Sequence, residues 1–200
     1  MLKWIAIILF ILAITITTLG YFLFKGPDLS KYEYLKEPQL NKMPAQKVLV
    51  VEAKGDPSIV GRKAFGLLYQ TYFKLQNSSK NMNIAPRARW PFAFDTPKDK
   101  WIGRYALPVS SAAELPENFK PEAGFEVGLK NWEYGETAEI LHIGPYSKEL
   151  PTIQKLMDFI KAKGYTIVGE HEEEYLKGPG MFGPGDPEKY FTIIRYQIKK

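Results

Sequence analysis

The chain has 200 residues, a formal net charge of +5 and no cysteine. Without thiols it cannot form a disulfide, a thiolate metal site or a cysteine nucleophile. Its two histidines, His142 and His171, lack the sequence spacing of metal ligands, so no zinc site is predicted and no cofactor is expected. Basic residues are spread along the chain rather than gathered in one dense patch, which argues against a nucleic-acid-binding surface.

The first predicted element is a membrane anchor formed by residues 1–25. Residues 4–24 carry no charge, and Trp4 and Tyr21 lie where aromatic residues meet a membrane interface. At about 1.5 Å per residue, a helix of this length spans roughly 30 Å, which matches the hydrocarbon core of a bilayer. A cleaved signal peptide is the alternative, but its apolar region is normally shorter and ends in a small-residue site.

The segment that follows, residues 26–46, contains three prolines and no sustained periodicity, which is typical of a linker with at most one helical turn. Lys3 and the α-amino group favour a cytoplasmic N-terminus. We therefore expect a single-pass protein of the cell membrane, with a domain over residues 47–200 that faces away from the cytoplasm.

The domain begins with one strand, one helix and two further strands. Residues 47–53 are β-branched and predict a strand. The helix starts after Asp56, a preferred N-cap residue, with Pro57 at its first position, and its apolar residues recur at helical spacing. Two strands follow at residues 83–94 and 101–109.

The same order recurs in the second half of the domain. The helix has apolar residues at helical spacing from Leu150 to Ile160 and stops at Gly164. The strands are predicted at residues 125–129, 137–143, 165–176 and 189–198. The sequence therefore predicts an α+β fold with tandem duplicated strand-helix-strand-strand modules, at about 47–110 and 125–198. We expect the modules to pack as two curved sheets around a central groove, with the helices on the outer faces.

Three segments carry a resemblance to a known family. They are the turn at residues 142–146, the helix end at Gly164 and Tyr165, and the Glu-x-Tyr of Glu173 and Tyr175. In their order and spacing, these segments resemble the GyrI-like small-molecule-binding domain, which is also the effector-binding domain of bacterial multidrug-responsive regulators. The resemblance covers about residues 45–198. It implies a groove that takes bulky hydrophobic or cationic organic ligands, with an acidic residue inside.

The chain departs from the family pattern at two places. The final strand of the family often carries an acid, whereas this chain has Arg195, which changes the expected charge of the groove. The Gly- and Pro-rich segment at residues 178–187 is long, and we interpret it as a possible lid over the groove.

Glu173 is the main candidate for contact with a ligand. Glu173 and Tyr175 share one face of their predicted strand, and Glu174 replaces Glu173 if the register differs by one residue. Tyr146 follows the Gly-Pro turn that the resemblance places near the groove. The first module is expected to add an aromatic wall with Trp90, Phe92, Trp101 and Tyr105. For each of these aromatic residues, packing in the core is the alternative interpretation.

Three functions remain open from the sequence. The first is a membrane-anchored sensor or sequestering protein for hydrophobic or cationic small molecules. The second is a hydrolase of the same fold that acts on strained electrophiles, with Glu173 as general acid or base and Tyr146 as its partner. The third is a scaffold whose groove binds a peptide or a membrane-protein partner. His142 is expected to have a structural role, because no nucleophile or partner acid is apparent at its spacing.

Overall fold

The computed structural model describes residues 28–81, 83–91, 96–179 and 183–200. The predicted anchor, residues 1–25, lies outside this part of the chain. Within the described part, no helix combines the length and the apolar character needed to cross a membrane.

The first module has the predicted strand, helix and two strands. A 3-10 helix at Ser30–Lys36 and strand β1 at Gln39–Met43 precede it. Its elements are β2 (Gln46–Lys54), α1 (Pro57–Lys74), β3 (Arg87–Trp90) and β4 (Ile102–Pro108). The Asp56 side chain caps α1 by accepting a hydrogen bond of 2.8 Å from the Ser58 amide, as its position predicts.

The second module repeats this order after an additional strand. Its elements are β5 (Phe125–Trp132), β6 (Gly135–Ile143), α2 (Leu150–Ala162), β7 (Thr166–Ile167), β8 (His171–Lys177) and β9 (Phe191–Lys199). The long strand predicted at residues 165–176 is divided into β7 and β8, and both of these strands pair with β9.

The strands of both modules form one antiparallel sheet in the order β1-β6-β9-β8-β3-β4-β2-β5. Outward from the central β3–β8 pair, the first module contributes β3, β4 and β2, and the second contributes β8, β9 and β6 in the corresponding order. The outer edges are exchanged, because β5 pairs with β2 and β1 pairs with β6. The modules are therefore joined edge to edge in one continuous sheet. The expectation of two separate sheets facing each other was wrong, and the sequence could not reveal this because periodicity does not determine which edges pair.

Both helices pack on the same face of the sheet. Helix α1 covers β2 and β4, and α2 covers β6 and β7. Core residues under the helices come from both elements of each module, including Leu49, Leu68 and Tyr105 in the first and Ile140, Leu156 and Ile194 in the second. The central pair of strands, β3 and β8, lies between the two helices, and this strip forms the floor of a groove.

The opposite face of the sheet encloses a second core. Residues 44–45 link β1 to β2, although these strands lie near opposite ends of the sheet, so Met43 and Gln46 are at most about 11 Å apart. The sheet must therefore curl until its two ends approach each other. Met43 accordingly packs with Val48, Val50 and Trp132 on this inner face.

The segment that the sequence suggested as a linker, residues 26–46, belongs in part to the fold. Strand β1 pairs with β6, with Gln39 opposite Glu139. Leu35 of the 3-10 helix is buried against Leu141 and Ile193. A strand with a single neighbour and mostly exposed side chains has little periodicity, which explains why the pattern did not predict it.

Candidate functional site

Glu173 lies at the centre of the groove floor with only 9% of its surface exposed. The Tyr175 hydroxyl donates a 2.6 Å hydrogen bond to its Oε2, and His171 Nε2 lies 3.0 Å from its Oε1. All three residues point to the helix side of β8, because alternate residues of a strand share a face. The strand thus brings its own two donors to the carboxylate.

A hydrogen-bond chain leads from β9 to this carboxylate. The Tyr196 hydroxyl lies 2.9 Å from His171 Nδ1. An ionised carboxylate only accepts hydrogen bonds, so His171 donates from Nε2 to Glu173, while its Nδ1 faces the Tyr196 hydroxyl. These contacts fix the orientation of Glu173.

Two residues of the first module lie next to Glu173 on the same face of the sheet. Ala88 of β3 lies directly across from Glu173, and Trp90 lies across from His171. Directly opposite residues point to the same side of a sheet. Ala88 and Trp90 are both buried and belong to the core of the first module, so Glu173 borders that core.

A series of aromatic rings crosses the groove from the first module to the second. Neighbouring ring centroids in the series lie 4.8–5.8 Å apart, within the range of favourable aromatic pairs. In order, the rings are Trp101, Trp90, Tyr105, Phe65, Tyr175, Tyr146 and Tyr190. Phe65 comes from α1 and joins the two halves, since it contacts both Tyr105 and Tyr175.

A second carboxyl group, that of Glu149, lies near Glu173. The turn that carries Glu149 and Tyr146 begins at Gly144, whose φ of +133° favours glycine. Glu149 is 6% exposed, and its Oε1 has no hydrogen-bond partner among the described residues. Burial, and then the nearby charge of Glu173, raise the pKa of Glu149 to about 9, so it is protonated at neutral pH.

The phenols around Glu173 also have perturbed acidity. Burial, followed by the charge of Glu173, raises the pKa of Tyr105, Tyr175 and Tyr196. These hydroxyls therefore remain protonated across the physiological range and act as hydrogen-bond donors. Tyr105 is 2% exposed, and its hydroxyl has no partner within the described part of the chain.

The adjacent glutamates of β8 face the other side of the sheet. Arg195 lies 2.5 Å from Glu172 and 3.1 Å from Glu174, and it also contacts Glu139 at 3.3 Å. Arg89 binds Glu172 at 2.7 Å. Burial alone would raise the pKa of Glu172, but the arginines outweigh burial and hold it below its ordinary value. Arginines therefore balance the charges of Glu172 and Glu174.

The structure brings together most of the residues that the sequence suggested. Glu173, Tyr175 and Tyr146 lie together, and Trp90, Trp101 and Tyr105 belong to the same series of contacting rings. Trp90 and Tyr105 are buried in the hydrophobic core of the first module, which is the alternative interpretation that the sequence left open. Glu174 does not lie with Glu173, because it belongs to the arginine cluster on the opposite face. Phe92 lies outside the described residues.

Two further expectations are corrected or refined by the geometry. Arg195 does not change the charge of the groove, since it points to the inner face and pairs there with glutamates. His142 has a structural position, with Nδ1 3.0 Å from the Thr152 hydroxyl of α2. The segment after β8 passes close to Tyr146, because a Cβ atom at Gly178 would lie 2.6 Å from its hydroxyl oxygen.

The sequence did not predict four residues that lie around Glu173 and Tyr175: Glu149, His171, Tyr196 and Phe65. His171 and Tyr196 had a usable signal, since each shares a strand face with a candidate or a core residue. Phe65 is one of many apolar residues on α1, and Glu149 lies in a turn whose direction no periodicity predicts. Within the described chain, no group of three or more His, Asp and Glu side chains has an arrangement that holds a metal ion.

The α+β sheet, the two helices on one face and the acid within an aromatic groove define a small-molecule-binding class of domain. The sequence matches the GyrI-like small molecule binding domain over residues 36–195, and the chain belongs to this family.

Solved structures with the same fold include a hydrolase from Listeria innocua, which is 21% identical with a TM-score of 0.64. The match covers 86% of this chain and 99% of that one. The C-terminal domain of EcmrR is 15% identical with a TM-score of 0.58, over 82% of this chain and 98% of that domain. No curated protein sequence matches the chain.

Proposed function

We propose that the groove between the helices binds bulky, hydrophobic organic cations. The observation that carries this proposal is the environment of Glu173. It is a nearly buried carboxylate that a tyrosine hydroxyl and a histidine ring orient, and it has no arginine or lysine partner among the described residues. A buried carboxylate in this situation favours a positive charge brought by a ligand.

The aromatic series supports the same ligand class. Ring faces attract cations, and charge-assisted contacts in a partly desolvated site contribute about 1–3 kcal/mol. The rings also supply a large apolar surface for a flat organic molecule. The effector domain of EcmrR, which has the same fold, belongs to a protein whose structure was determined in complex with DNA.

The test is a fluorescence titration of the full-length protein with a cationic dye and a neutral dye of similar size. Glu173→Gln preserves the shape and removes the charge. We expect it to weaken the cationic dye by roughly ten- to a hundredfold, since about 1.4 kcal/mol corresponds to a factor of ten. The neutral dye should change little.

The matched control is Glu136→Gln, which removes an exposed carboxylate at the start of β6. Equal losses for both dyes with Glu173→Gln would indicate a packing role for Glu173. A wild-type protein that binds no dye would refute the proposal.

We further propose that the domain is attached to a membrane by residues 1–25 and acts there as a sensor or a sequestering protein. The support is the uncharged run at residues 4–24. The full-length protein should remain with washed membranes, and deletion of residues 1–25 should release it. A full-length protein with an intact N-terminus in the soluble fraction would contradict the anchor.

A hydrolase of the same fold is the second candidate function, and the pair of carboxyl groups favours it. Glu149 is protonated at neutral pH, as a general acid must be, and it lies close to the second carboxyl group, that of Glu173. One relative with this fold is described as a hydrolase. Turnover of a strained electrophile by the wild type, lost in Glu173→Gln, would establish this activity.

A further inference from the structure

Glu149 is a buried carboxyl group that the proposed binding of a single cation by Glu173 does not use. Its side chain makes no capping hydrogen bond to α2, although Glu149 immediately precedes that helix. Only its backbone carbonyl oxygen bonds to the helix, by accepting a hydrogen bond of 2.9 Å from the Ile153 amide. The carboxyl group is therefore free of any role in the local fold that the described contacts show.

The carboxyl group of Glu149 lies close to Glu173, Tyr175 and Tyr146, since its charge acts on each of them. Its Oε1 is buried and has no hydrogen-bond partner among the described residues. Buried polar atoms normally have a hydrogen-bond partner, and each exception requires a physical explanation. The Tyr105 hydroxyl is a second such exception, but it is buried in the core of the first module, close to Gly61 of α1.

We infer that Glu149 is a second ligand-binding carboxyl group, and that the preferred ligand places an N–H-bearing cation, a protonated amine or amidine, between Glu149 and Glu173. This inference rests on the proposed function and specifies its ligand. A quaternary ammonium or a delocalised cation satisfies the charge of Glu173, but it cannot donate a hydrogen bond to the unpartnered oxygen. A protonated amine does both, because it carries a charge and up to three donors.

Binding of such a cation changes the protonation of Glu149. In the empty groove Glu149 faces Glu173, Tyr175 and Tyr146, and it holds its own proton. A cation between the two carboxyl groups favours the ionised form of both. Binding of an amine near neutral pH is therefore coupled to release of a proton from Glu149.

The experiment compares two ligands that share one aromatic body, a naphthylethyl group. One carries a primary ammonium, and the other carries a trimethylammonium. Calorimetric titrations use the full-length wild type, Glu149→Gln, and the exposed control Glu136→Gln. We expect Glu149→Gln to weaken the primary ammonium at least tenfold and the trimethylammonium less than threefold, because only the former donates to Glu149.

Repeating the titration in two buffers with different ionisation enthalpies measures the proton. The wild type should release about one proton on binding the primary ammonium, and Glu149→Gln should release none. Thermal unfolding of Glu149→Gln checks that the variant is folded, and Glu149→Asp, which keeps the carboxyl group, should retain part of the preference.

The outcomes separate the two proposals. Equal effects of Glu149→Gln on both ligands, or no effect on either, would overturn the inference and leave the cation-binding function intact. A wild type that binds neither ligand would overturn both.

Discussion

Three consecutive glutamates of β8 have different partners on the two faces of the strand. Glu172 and Glu174 point to the inner face, where Arg195 binds both within 3.1 Å. Glu173 points to the groove, where a phenol and an imidazole orient it. Both faces of β8 carry glutamate, but the partners differ: arginine contacts the acids of the inner face, whereas residues of β8 itself orient Glu173.

The two faces therefore differ in whether arginines balance the charge of the acids. On the inner face three arginines, Arg87, Arg89 and Arg195, meet three glutamates, so the cluster is balanced and requires no ligand. On the groove face the acids have no such partners among the described residues. A buried acid without an arginine or lysine partner retains an attraction for cations that an acid paired with arginine has lost.

Separating the modules is expected to have the largest effect on stability, because it removes contacts on both faces of the sheet. The inner cluster takes Arg87 and Arg89 from the first module and its glutamates from the second, and β1 pairs with β6 of the second module. Fragments cut near Glu117 should therefore be molten or insoluble. A well-dispersed NMR spectrum from residues 124–200 alone would show that the second module folds independently.

The next largest effect is expected for Arg195→Met, which removes the centre of the inner cluster. Three carboxylates would lose their common partner, and breaking a buried ion pair from one side costs about 3–5 kcal/mol. Urea unfolding should show this loss, and the control Arg62→Met, at an exposed position of α1, should change the free energy of unfolding little. A loss for Arg195→Met below that of the control would mean that the cluster is not required for stability.

Smaller changes in the free energy of unfolding should distinguish the two faces of β8. Glu172→Gln weakens the hydrogen bonds to Arg195 and Arg89 and should lower the free energy of unfolding by about 1–3 kcal/mol. Glu173→Gln keeps one oxygen to accept from the His171 ring, and its amide N–H can donate to the Tyr175 hydroxyl, which also accepts hydrogen bonds. This change should therefore lower the free energy of unfolding by less than about 1 kcal/mol. The same urea measurements apply, and a greater loss for Glu173→Gln would reverse the assignment of roles.

The two faces also differ in how their acids respond to pH. The pKa of Glu172 is held low by its arginines, so its contribution is present above the pKa of an unfolded glutamate, about 4.3, and disappears as the pH falls through the folded value. Glu149 behaves in the opposite way. Its pKa rises from 4.5 to about 9 on folding, so its contribution is present at low pH and is lost as the pH rises between these values.

We expect Glu149→Gln to flatten the decline in stability from about pH 5 to pH 9, by up to a tenfold change in the folding equilibrium constant per pH unit. The acid limb below pH 4 should be unaffected. Urea midpoints measured across this range provide the test, and an unchanged alkaline limb would show that Glu149 is ionised in the folded protein.

The sequence by itself determined the local elements and the central acid. Alternation and helical spacing predicted the strands and helices of both modules, because these periods follow directly from backbone geometry. The same alternation placed Glu173 and Tyr175 on one face. The turn from Gly144 to Tyr146 was recognisable because glycine and proline impose specific backbone angles.

Only the tertiary structure decided which face of β8 is the groove and which residues complete it. Gln39 pairs with Glu139, and Ala88 lies across from Glu173, although each pair is distant in sequence. Such pairings depend on how strand edges meet, and periodicity carries no information about this. Glu149 follows a turn whose direction no periodicity predicts, so its burial and its raised pKa arise only in the folded domain.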